Sequence, residues 1–208
     1  MFITFEGCEG CGKSTQIGLL AKYLESQGLA VVTTREPGGT VFGQTLREIL
    51  LADRPSAGGP ASREAELFLF AADRAEHVAT IIQPALSSGK IVLCDRYLDS
   101  TSAYQIGGRG LPEDLVHYIN FISSGGLVPD LTIFLDLPVA EGLKRVGKRG
   151  GETTGFDKEQ LDFHARVYRA YCLLAEQNPS RIRRLDASLT IAALQAQVAT
   201  LVQEARLR

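Results

Sequence analysis

The strongest constraint on the fold is a glycine-rich motif of eight residues, G-C-E-G-C-G-K-S, at Gly7–Ser14. It matches G-x-x-x-x-G-K-[ST] in full, with an apolar strand-length run before it and a helical pattern after it. Glycines there let backbone N–H groups converge on phosphate oxygens, and the following helix adds the positive end of its dipole. In such a loop the lysine, here Lys13, reaches the β- and γ-phosphates, and the Ser14 hydroxyl can bind Mg²⁺. The motif therefore predicts a phosphate-binding loop for ATP, formed by Gly7, Cys8, Glu9, Gly10, Cys11, Gly12, Lys13, Ser14 and Thr15.

Strand and helix signals alternate along the rest of the chain. Apolar runs of strand length lie at Phe2–Phe5, Ala30–Thr34, Ile91–Cys94, Leu131–Leu135 and Ile182–Leu185. Helical patterns lie at about Lys13–Gln27, Phe42–Leu51, Arg63–Ser87, Pro112–Ser123, Val139–Val146, Phe156–Gln177 and Thr190–Ala205. Apolar strands separated by helices of this length predict right-handed crossovers and a parallel sheet covered on both faces. The expected fold is α/β, a three-layer doubly wound five-stranded sheet of the P-loop NTPase type.

Composition narrows the possible partners and the cellular location. The 208 residues carry a net charge of −2, whereas a surface that neutralised many nucleic-acid phosphates would be basic, so no nucleic-acid partner is predicted. The sequence has no run of about 18 apolar residues, so no membrane span is predicted, and residues 1–6 lack the pattern of a signal peptide. We expect one cytoplasmic domain spanning 1–208, with a mobile lid at 145–156 and a second loop at Asp53–Ser62.

Two cysteines of the glycine motif, Cys8 and Cys11, form a C-x-x-C pair that could indicate zinc or redox chemistry. There is no second C-x-x-C, and none of the three histidines lies nearby in the sequence. We therefore interpret them as small residues in a tight loop, with an oxidation-sensitive loop as the alternative.

An acidic residue ends another apolar run, I-V-L-C-D, at Asp95. It is the expected partner of Ser14 in holding Mg²⁺ or a Mg²⁺-bound water. The next residue is Arg96, where nucleotide-hydrolysing ATPases commonly carry a glutamate that activates water. An arginine binds a second anion instead, and the guanine motif N-K-x-D is missing. Transfer to a phosphorylated acceptor is therefore favoured over hydrolysis.

An acceptor that carries a phosphate needs cations of its own. Arg35, Arg47, Arg74 and Arg96 fall near predicted loop or helix ends at the carboxyl edge of the sheet, where open α/β sheets bind ligands. Each alone could be a solvated surface charge, but together they favour a pocket for a second phosphate. Phe70 and Arg74 are four residues apart and share a helix face, so one helix could offer a ring to a base and a guanidinium to a phosphate. Phe70 could equally be a core residue.

Four further motifs follow the glycine motif. They are R-E-P-G-G-T at Arg35–Thr40, L-F-A-A-D-R at Leu69–Arg74, D-R-Y-L-D-S-T-S-A-Y-Q at Asp95–Gln105 and P-D-L-T-I-F-L-D at Pro129–Asp136. These motifs closely resemble those of bacterial thymidylate kinases. With the glycine motif they cover nearly the whole chain in the family's order, and the D-R-Y block is highly specific. The resemblance implies the reaction ATP + dTMP → ADP + dTDP in dTTP biosynthesis, with Mg²⁺ and a homodimer.

For the nucleoside of dTMP, the resemblance implies contacts by five residues. Phe70 would stack on thymine, while Thr101 and Gln105 would hydrogen-bond near the base. Tyr104 would pack under the deoxyribose and disfavour a 2′-hydroxyl, and Glu9 would face the 3′-hydroxyl.

For the phosphates, the resemblance implies that Arg47, Arg74 and Arg96 bind the thymidylate phosphate and that Glu36 shapes the acceptor pocket near Mg²⁺. Catalysis would rest on Lys13, Arg96, Glu9 and a cation from the lid, chiefly by positioning and charge neutralisation.

The lid departs from the family pattern D-R-[FIL]-[DE], because the chain reads Thr154-Gly155-Phe156-Asp157 and places Gly155 where the arginine is expected. Candidates for the missing cation are Arg145, Lys148 and Arg149. We prefer Arg149 as the catalytic cation and expect Arg145 to contact ATP.

Two other functions stay open at the level of sequence. A kinase for another nucleoside monophosphate would share the phosphate-binding loop but differ at the base, and a non-enzymatic regulator would bind ATP without dTMP-dependent ADP release. The homodimer is an expectation from the family, with the apolar helix after Asp53–Ser62 as its candidate interface.

Overall fold

The computed structural model describes residues 1–51, 61–147, 156 and 159–207. Residues 53–60 of one predicted loop, and 148–155 of the predicted lid, lie outside this range. The strands are β1 (Phe2–Glu6), β2 (Val31–Arg35), β3 (Ile91–Asp95), β4 (Leu131–Asp136) and β5 (Ile182–Asp186). The helices are α1 (Lys13–Ser26), α2 (Val41–Leu51), α3 (Arg63–His77), α4 (Gln83–Ser87), α5 (Leu98–Thr101), α6 (Glu113–Ser124), α7 (Val139–Gly147), α8 (Leu161–Gln177) and α9 (Ile191–Arg206).

The five strands form one sheet in the order β2-β3-β1-β4-β5, and every neighbouring pair is parallel. β1 lies at the centre, so the glycine motif that follows it emerges between the ends of β3 and β4. Register pairs Phe5 with Asp95, which puts the glycine motif beside the acidic end of β3. The predicted fold class is confirmed.

Helices cover both faces of the sheet and make three layers. On one face, Ile3 and Phe5 of β1 pack with apolar residues of α1 and α9, among them Leu20 and Val198. On the other face, Phe134 of β4 packs with residues of α8. The three central strands, β1, β3 and β4, are buried on both faces because both are covered, whereas the edge strands β2 and β5 are partly exposed. Among the described residues, no helix combines the length and hydropathy needed to cross a membrane.

Two helical predictions were incomplete. The run predicted at Arg63–Ser87 is divided by a π-helical turn at Val78–Ile82, just before Pro84 in the first turn of α4. Proline has no N–H to donate back along the helix, so the backbone widens there. The helix predicted from Phe156 begins at Leu161.

One helical segment was missed altogether. Leu98–Thr101 forms α5, and a π-helical segment follows it at Ser102–Gly108. Its serines, threonine and glycines are weak helix formers, so no periodicity was evident in the sequence. Packing holds it instead, since a Cβ on Gly107 would lie 2.6 Å from Cβ of Ala170 in α8.

The glycine motif rests directly on α7. Gly10 has φ +73°, and a Cβ there would lie 2.3 Å from the carbonyl oxygen of Gly142. In the opposite direction, a Cβ on Gly142 would lie 2.3 Å from the carbonyl oxygen of Glu9. Neither backbone can carry a side chain at this crossing, so α7 fixes the height of the loop above the sheet.

We expect Gly142→Ala to lower the free energy of unfolding by about 1–3 kcal/mol, because the new methyl group meets backbone that cannot move aside. Gly147→Ala in the same helix is the matched control, since a Cβ there meets nothing within 4 Å. It should leave stability unchanged or raise it by up to about 1 kcal/mol. Chemical denaturation of both variants checks this; equal stabilities would contradict the close packing of α7 on the loop.

Candidate functional site

A cleft of about 360 Å³ lies at the carboxyl ends of the central strands. The glycine motif, the turn after β2, the residues after β3 and one face of α3 form its walls. The structure brings most of the predicted site residues to this cleft: Glu9, Gly10, Gly12, Lys13, Ser14, Glu36, Arg47, Phe70, Arg74, Asp95, Arg96, Thr101, Tyr104 and Gln105.

The remaining predicted residues lie elsewhere. Cys8 and Cys11 are buried free thiols beneath the loop, and burial raises the pKa of the Cys8 thiol. Gly7 lies against the carbonyl oxygen of Leu135, and Thr15 is exposed in the first turn of α1. The burial of Cys8 and Cys11 agrees with their interpretation as small packing residues.

Of the three candidate lid cations, the structure describes only Arg145, and Lys148 lies outside the described residues. Arg145 donates from Nε to Glu141 Oε1 at 3.3 Å and from Nη1 to the carbonyl of Ala187 at 3.3 Å, and it does not line the cleft. Arg149 lies outside the described residues.

Lys13 is folded over the loop. Its Nζ donates to the carbonyl oxygens of Gly7 at 3.0 Å and of Cys8 at 3.2 Å. Both partners are neutral, so the ammonium group retains its full charge at the floor of the cleft. The positive ends of the loop N–H groups and of α1 point to the same place. The loop is built to attract phosphate.

Ser14 and Asp95 meet at the end of the central strands. The Ser14 hydroxyl donates to Asp95 Oδ2 at 3.0 Å. The other carboxylate oxygen, Oδ1, is buried and has no hydrogen-bond partner in the described part of the chain. A hydroxyl beside a carboxylate with an unpaired oxygen is the hard donor set that Mg²⁺ prefers, so the residues fit this ion.

Glu9 and Arg96 form an ion pair that spans the cleft floor. Arg96 Nη2 donates to Glu9 Oε1 at 2.8 Å, and the Tyr104 hydroxyl donates to the same oxygen at 2.6 Å. Burial alone would raise the pKa of Glu9, but the charges of Arg96 and Lys13 hold that pKa below its ordinary value. Glu9 is thus a carboxylate, and its second oxygen, Oε2, is buried without a partner among the described residues.

Arg96 has an unusual backbone. It has φ +74° and is the one non-glycine residue of the described chain with positive φ. A non-glycine residue in this conformation costs about 1–3 kcal/mol, and it persists only where the surrounding structure enforces it. The side chain is directed across the Tyr104 ring, with Cζ 5.1 Å from the ring centre. Such strain indicates that the direction of the Arg96 side chain is important for the function of the site.

Glu36 and Arg74 form a second, fully buried pair. Arg74 Nε donates to Glu36 Oε2 at 2.9 Å, and its Nη2 donates to Thr101 Oγ1 at 2.9 Å. His77 lies 3.0 Å from Glu36 Oε1. Asn120 accepts from Arg74 Nη1 at 2.8 Å. Most N–H groups of Arg74 are therefore engaged within the protein, which makes Arg74 an anchor for Thr101 as well as a lining residue.

Arg47 is in the opposite situation. Its Nη1 donates to the neutral carbonyl oxygen of Pro37 at 2.9 Å, and no salt bridge among the described residues includes it. Burial first, and then the nearby charges of Arg35 and Arg96, lower the pKa of its guanidinium. Asp95 and Asp73 act in the opposite direction, but the net shift is downward, which indicates that the cations dominate at this position.

The far end of the cleft is aromatic and amide-lined. Phe70 is half-buried, with its ring centre 6.2 Å from that of Phe156. The Gln105 amide nitrogen donates to Glu66 at 2.7 Å, while its buried carbonyl oxygen Oε1 has no partner in the described chain. A flat, partly apolar ligand with N–H and carbonyl groups at its edge fits this end.

Four residues near the cleft were missed by the sequence reasoning. Glu6, Ser100 and Tyr171 hydrogen-bond with one another behind Arg96. His164 of α8 is buried with Nδ1 4.0 Å from Glu9 Oε2. A glutamate inside a buried β1 strand directly before Gly7 was a usable signal, because an ionisable group is rarely buried without purpose; Tyr171 and His164 gave none.

Comparison with known proteins points to one family. The family model described as thymidylate kinase matches residues 5–198. Thymidylate kinase of Desulfovibrio desulfuricans is 54% identical over 195 residues, covering 90% of this chain and 88% of that protein. Thymidylate kinase of Gloeobacter violaceus is 48% identical over 203 residues, covering 97% and 94%. The crystal structure of thymidylate kinase from Ehrlichia chaffeensis superposes with a TM-score of 0.79 at 33% identity, covering 98% of each chain.

Asp73 binds the turn after β2, to which Arg47 of α2 donates a hydrogen bond at Pro37. Its Oδ1 accepts from the N–H of Gly38 at 3.0 Å, while its buried Oδ2 has no partner in the described chain. Burial, reinforced by Glu36, raises the pKa of Asp73 to about 6. The folded state therefore binds the proton more tightly than the unfolded state does, and ionisation of Asp73 reduces stability as pH rises from about 4 to about 6.

We expect Asp73→Asn to become more stable relative to the unaltered protein as pH increases, because the amide does not ionise. The difference in unfolding free energy should shift by about 1 kcal/mol in favour of the variant between pH 5 and pH 7.5. Denaturant titrations at the two pH values check this. A difference that does not change with pH would show that Asp73 has an ordinary pKa.

Proposed function

The chain belongs to the thymidylate kinase family, and we propose that its cleft transfers the γ-phosphoryl group of ATP to dTMP with the predicted residues in the roles set out below. ATP-dependent phosphorylation of dTMP to dTDP is the reaction of this chain. The observation that carries the residue roles is the crowding of Arg35, Arg47 and Arg96 at one end of the phosphate-binding loop. A dTMP phosphate bound to these arginines would face the γ-phosphate of ATP bound in the loop.

The donor side is the glycine motif. In this proposal the loop N–H groups of Gly7–Ser14 and Thr15, together with Lys13, bind the phosphates of ATP, and the position of the loop before α1 supports this role. Ser14 and the unpaired oxygen of Asp95 would hold Mg²⁺. When bound, this ion neutralises charge that builds on the transferred phosphoryl group.

The acceptor side is the arginine cluster. Arg47 and Arg96 bind the dTMP phosphate, and Arg74 contributes through its remaining N–H and by fixing Thr101. Glu36 orients Arg74 and so shapes this wall. With the two nucleotides held end to end, a phosphate oxygen of dTMP attacks the γ-phosphorus of ATP in line. No protein nucleophile is needed.

Selection of thymidine would come from the far end of the cleft. Phe70 stacks on the base, the unpaired Gln105 Oε1 accepts from the ring N–H of thymine, and the Thr101 hydroxyl donates to a ring carbonyl. Tyr104 lies under the deoxyribose, where an added 2′-hydroxyl would meet its ring. Glu9 Oε2, buried and unpaired, accepts from the 3′-hydroxyl.

The lid supplies the last cation in this proposal. Val146 at the end of α7 and Phe156 both line the cleft, and Arg149 lies between these two residues in the sequence. Arg149 is the proposed catalytic cation in place of the arginine absent at Gly155, whereas Arg145 supports ATP from α7.

We expect Arg47→Ala to raise the KM for dTMP about 10- to 100-fold, because it removes charge-assisted hydrogen bonds worth about 1.5–3 kcal/mol. The KM for ATP should stay within about twofold, since the loop that binds ATP is untouched. The exposed Arg206→Ala is the charge-matched control on the opposite side of the sheet. Coupled ADP-release assays with dTMP, dUMP, AMP, GMP and CMP check both the variant and the base selection; an unchanged KM for dTMP would remove Arg47 from the acceptor site.

We further propose a homodimer through α3 and α6. These helices pack against each other, and both expose large apolar side chains: Phe68, Tyr118, Phe121 and Ile122 are each more than half exposed. An apolar patch of this kind is rare on a monomer and marks an interface.

Phe121→Glu should shift the protein from dimer to monomer, because a buried, unpaired carboxylate opposes association. Leu173→Glu on α8 is the control, since that leucine is comparably exposed but lies on another helix. Sedimentation velocity distinguishes the two species. Monomeric parent protein, or a dimeric Phe121→Glu variant, would contradict this interface.

A further inference from the structure

Glu6 is the last residue of β1, immediately before the phosphate-binding loop, and its side chain is fully buried. It does not line the cleft, so it cannot touch either nucleotide. A buried glutamate is costly unless its hydrogen bonds are satisfied. Its contacts therefore show what it does.

Both carboxylate oxygens of Glu6 face the segment that begins with Arg96. Oε1 accepts from the backbone N–H of Tyr97 at 2.7 Å. Oε2 accepts from the Ser100 hydroxyl at 2.6 Å and from the Tyr171 hydroxyl at 3.1 Å.

The same two hydroxyls bind the side chain of Arg96. Arg96 Nη1 donates to Ser100 Oγ at 3.2 Å and to Tyr171 Oη at 3.2 Å. The hydroxyl oxygens lie 2.8 Å apart. The guanidinium can only donate hydrogen bonds, so each hydroxyl accepts one from Arg96 and donates one to Glu6. The hydrogen bonds therefore run in one direction, from the cation to the buried carboxylate.

Glu6 also holds the backbone. Arg96 has φ +74°, and Tyr97 is the next residue. The hydrogen bond from the Tyr97 N–H to Glu6 fixes the peptide that follows the strained residue, while the Arg96 N–H donates to the carbonyl of Phe5 at 3.0 Å. One carboxylate thus restrains Arg96 through its main chain and through its side chain.

We propose that Glu6 is a positioning residue for phosphoryl transfer, which holds Arg96 against the dTMP phosphate through Ser100, Tyr171 and the Tyr97 amide. This inference rests on the proposed role of Arg96 in binding that phosphate. It assigns a function to a residue that contacts no substrate.

The cost of this arrangement supports a functional reason for it. Burial, then the charge of Asp99, raise the pKa of Glu6 to about 7, against the lowering effects of Ser100 and Arg96. Asp99 is itself neutralised by two hydrogen bonds from Arg181, at 2.7 and 2.8 Å. Among the described residues, the cations Arg96, Arg181 and Arg74 interact with the charge of Glu6. Burying the Glu6 carboxylate therefore costs free energy, and its hydrogen bonds from Tyr97, Ser100 and Tyr171 offset that cost.

The decisive variant is Glu6→Gln, which keeps the shape and the carbonyl acceptor for Tyr97. Its amide nitrogen replaces Oε2 and donates, so both hydroxyls lose their acceptor and no longer orient Arg96. We expect kcat to fall about tenfold or more and the KM for dTMP to rise, the loss of a charged hydrogen bond being of this size. The KM for ATP should change less than twofold, and Tm should equal or exceed that of the unaltered protein.

Asp99→Asn is the matched control. It removes a buried carboxylate from the same region, but Asp99 bonds to Arg181 and Thr132 and not to the Arg96 network. It should lower Tm but should not impair kcat or the KM for dTMP, because Glu6 keeps its hydrogen bonds and loses a negative neighbour that raises its pKa, which favours its carboxylate form. A purely structural role for Glu6 predicts instead that Tm and activity fall together in Glu6→Gln, and that result, or unchanged kinetics, would overturn the proposal.

Two further variants make the result interpretable. Tyr171→Phe removes one of the two bridging hydroxyls and should give a smaller effect of the same kind, which tests the network even where Glu6→Gln folds poorly. Arg96→Ala separates the two levels of inference. If it leaves the KM for dTMP and kcat unchanged, the proposed role of Arg96 fails; if it impairs both while Glu6→Gln and Tyr171→Phe do not, only the positioning role of Glu6 fails.

Discussion

The site depends on one partly buried ion pair, between Glu9 of the phosphate-binding loop and Arg96 directly after β3, with 2.8 Å between Oε1 and Nη2. The pair exists because β1 and β3 are neighbours in a parallel sheet, so the residues that follow them emerge side by side. Burying two charges is expensive and is offset only when the geometry is good and the other polar atoms are satisfied. Tyr104 and the Ser100–Tyr171 hydroxyl pair satisfy most of them. The pair fixes the acceptor cation relative to the donor loop.

Charge is distributed in two layers around this pair. Close to the cleft, the cations of Lys13 and Arg47 bond to neutral carbonyl oxygens, so their charge stays available. Glu6 lies behind the cleft and accepts a hydrogen bond from Ser100, which binds Arg96, while Glu36 in the cleft wall accepts directly from Arg74. Glu6 thus helps to position Arg96 from behind the cleft without occupying its front. Such preorganisation is how an enzyme stabilises charge with little reorganisation during transfer.

The sequence predicted the parts of the structure that follow from local pattern. Apolar strands and the glycine motif were found within one or two residues, because buried parallel strands and a phosphate-binding loop have strong local signatures. The helical segment from Leu98 to Gly108 was not found, since its residues favour other conformations and only packing on α8 makes it helical. The π-helical turn that divides Arg63–Ser87 was also not predicted, because the long amphipathic pattern of this segment concealed the effect of Pro84.

For the site, motif residues were predictable and supporting residues were not. Lys13, Asp95 and Arg96 sit in recognisable strings, whereas Tyr171 reaches the site from a helix 75 residues further along the chain than Arg96. No local pattern encodes that meeting.

The most direct measurement is a double-mutant cycle on kcat/KM for dTMP with Glu9→Gln, Arg96→Lys and the combined variant. If the ion pair links donor loop and acceptor site as one unit, the double variant should be little worse than the poorer single variant, a coupling of about 1 kcal/mol or more. Effects that simply add would show that Glu9 and Arg96 act independently, and would contradict the account.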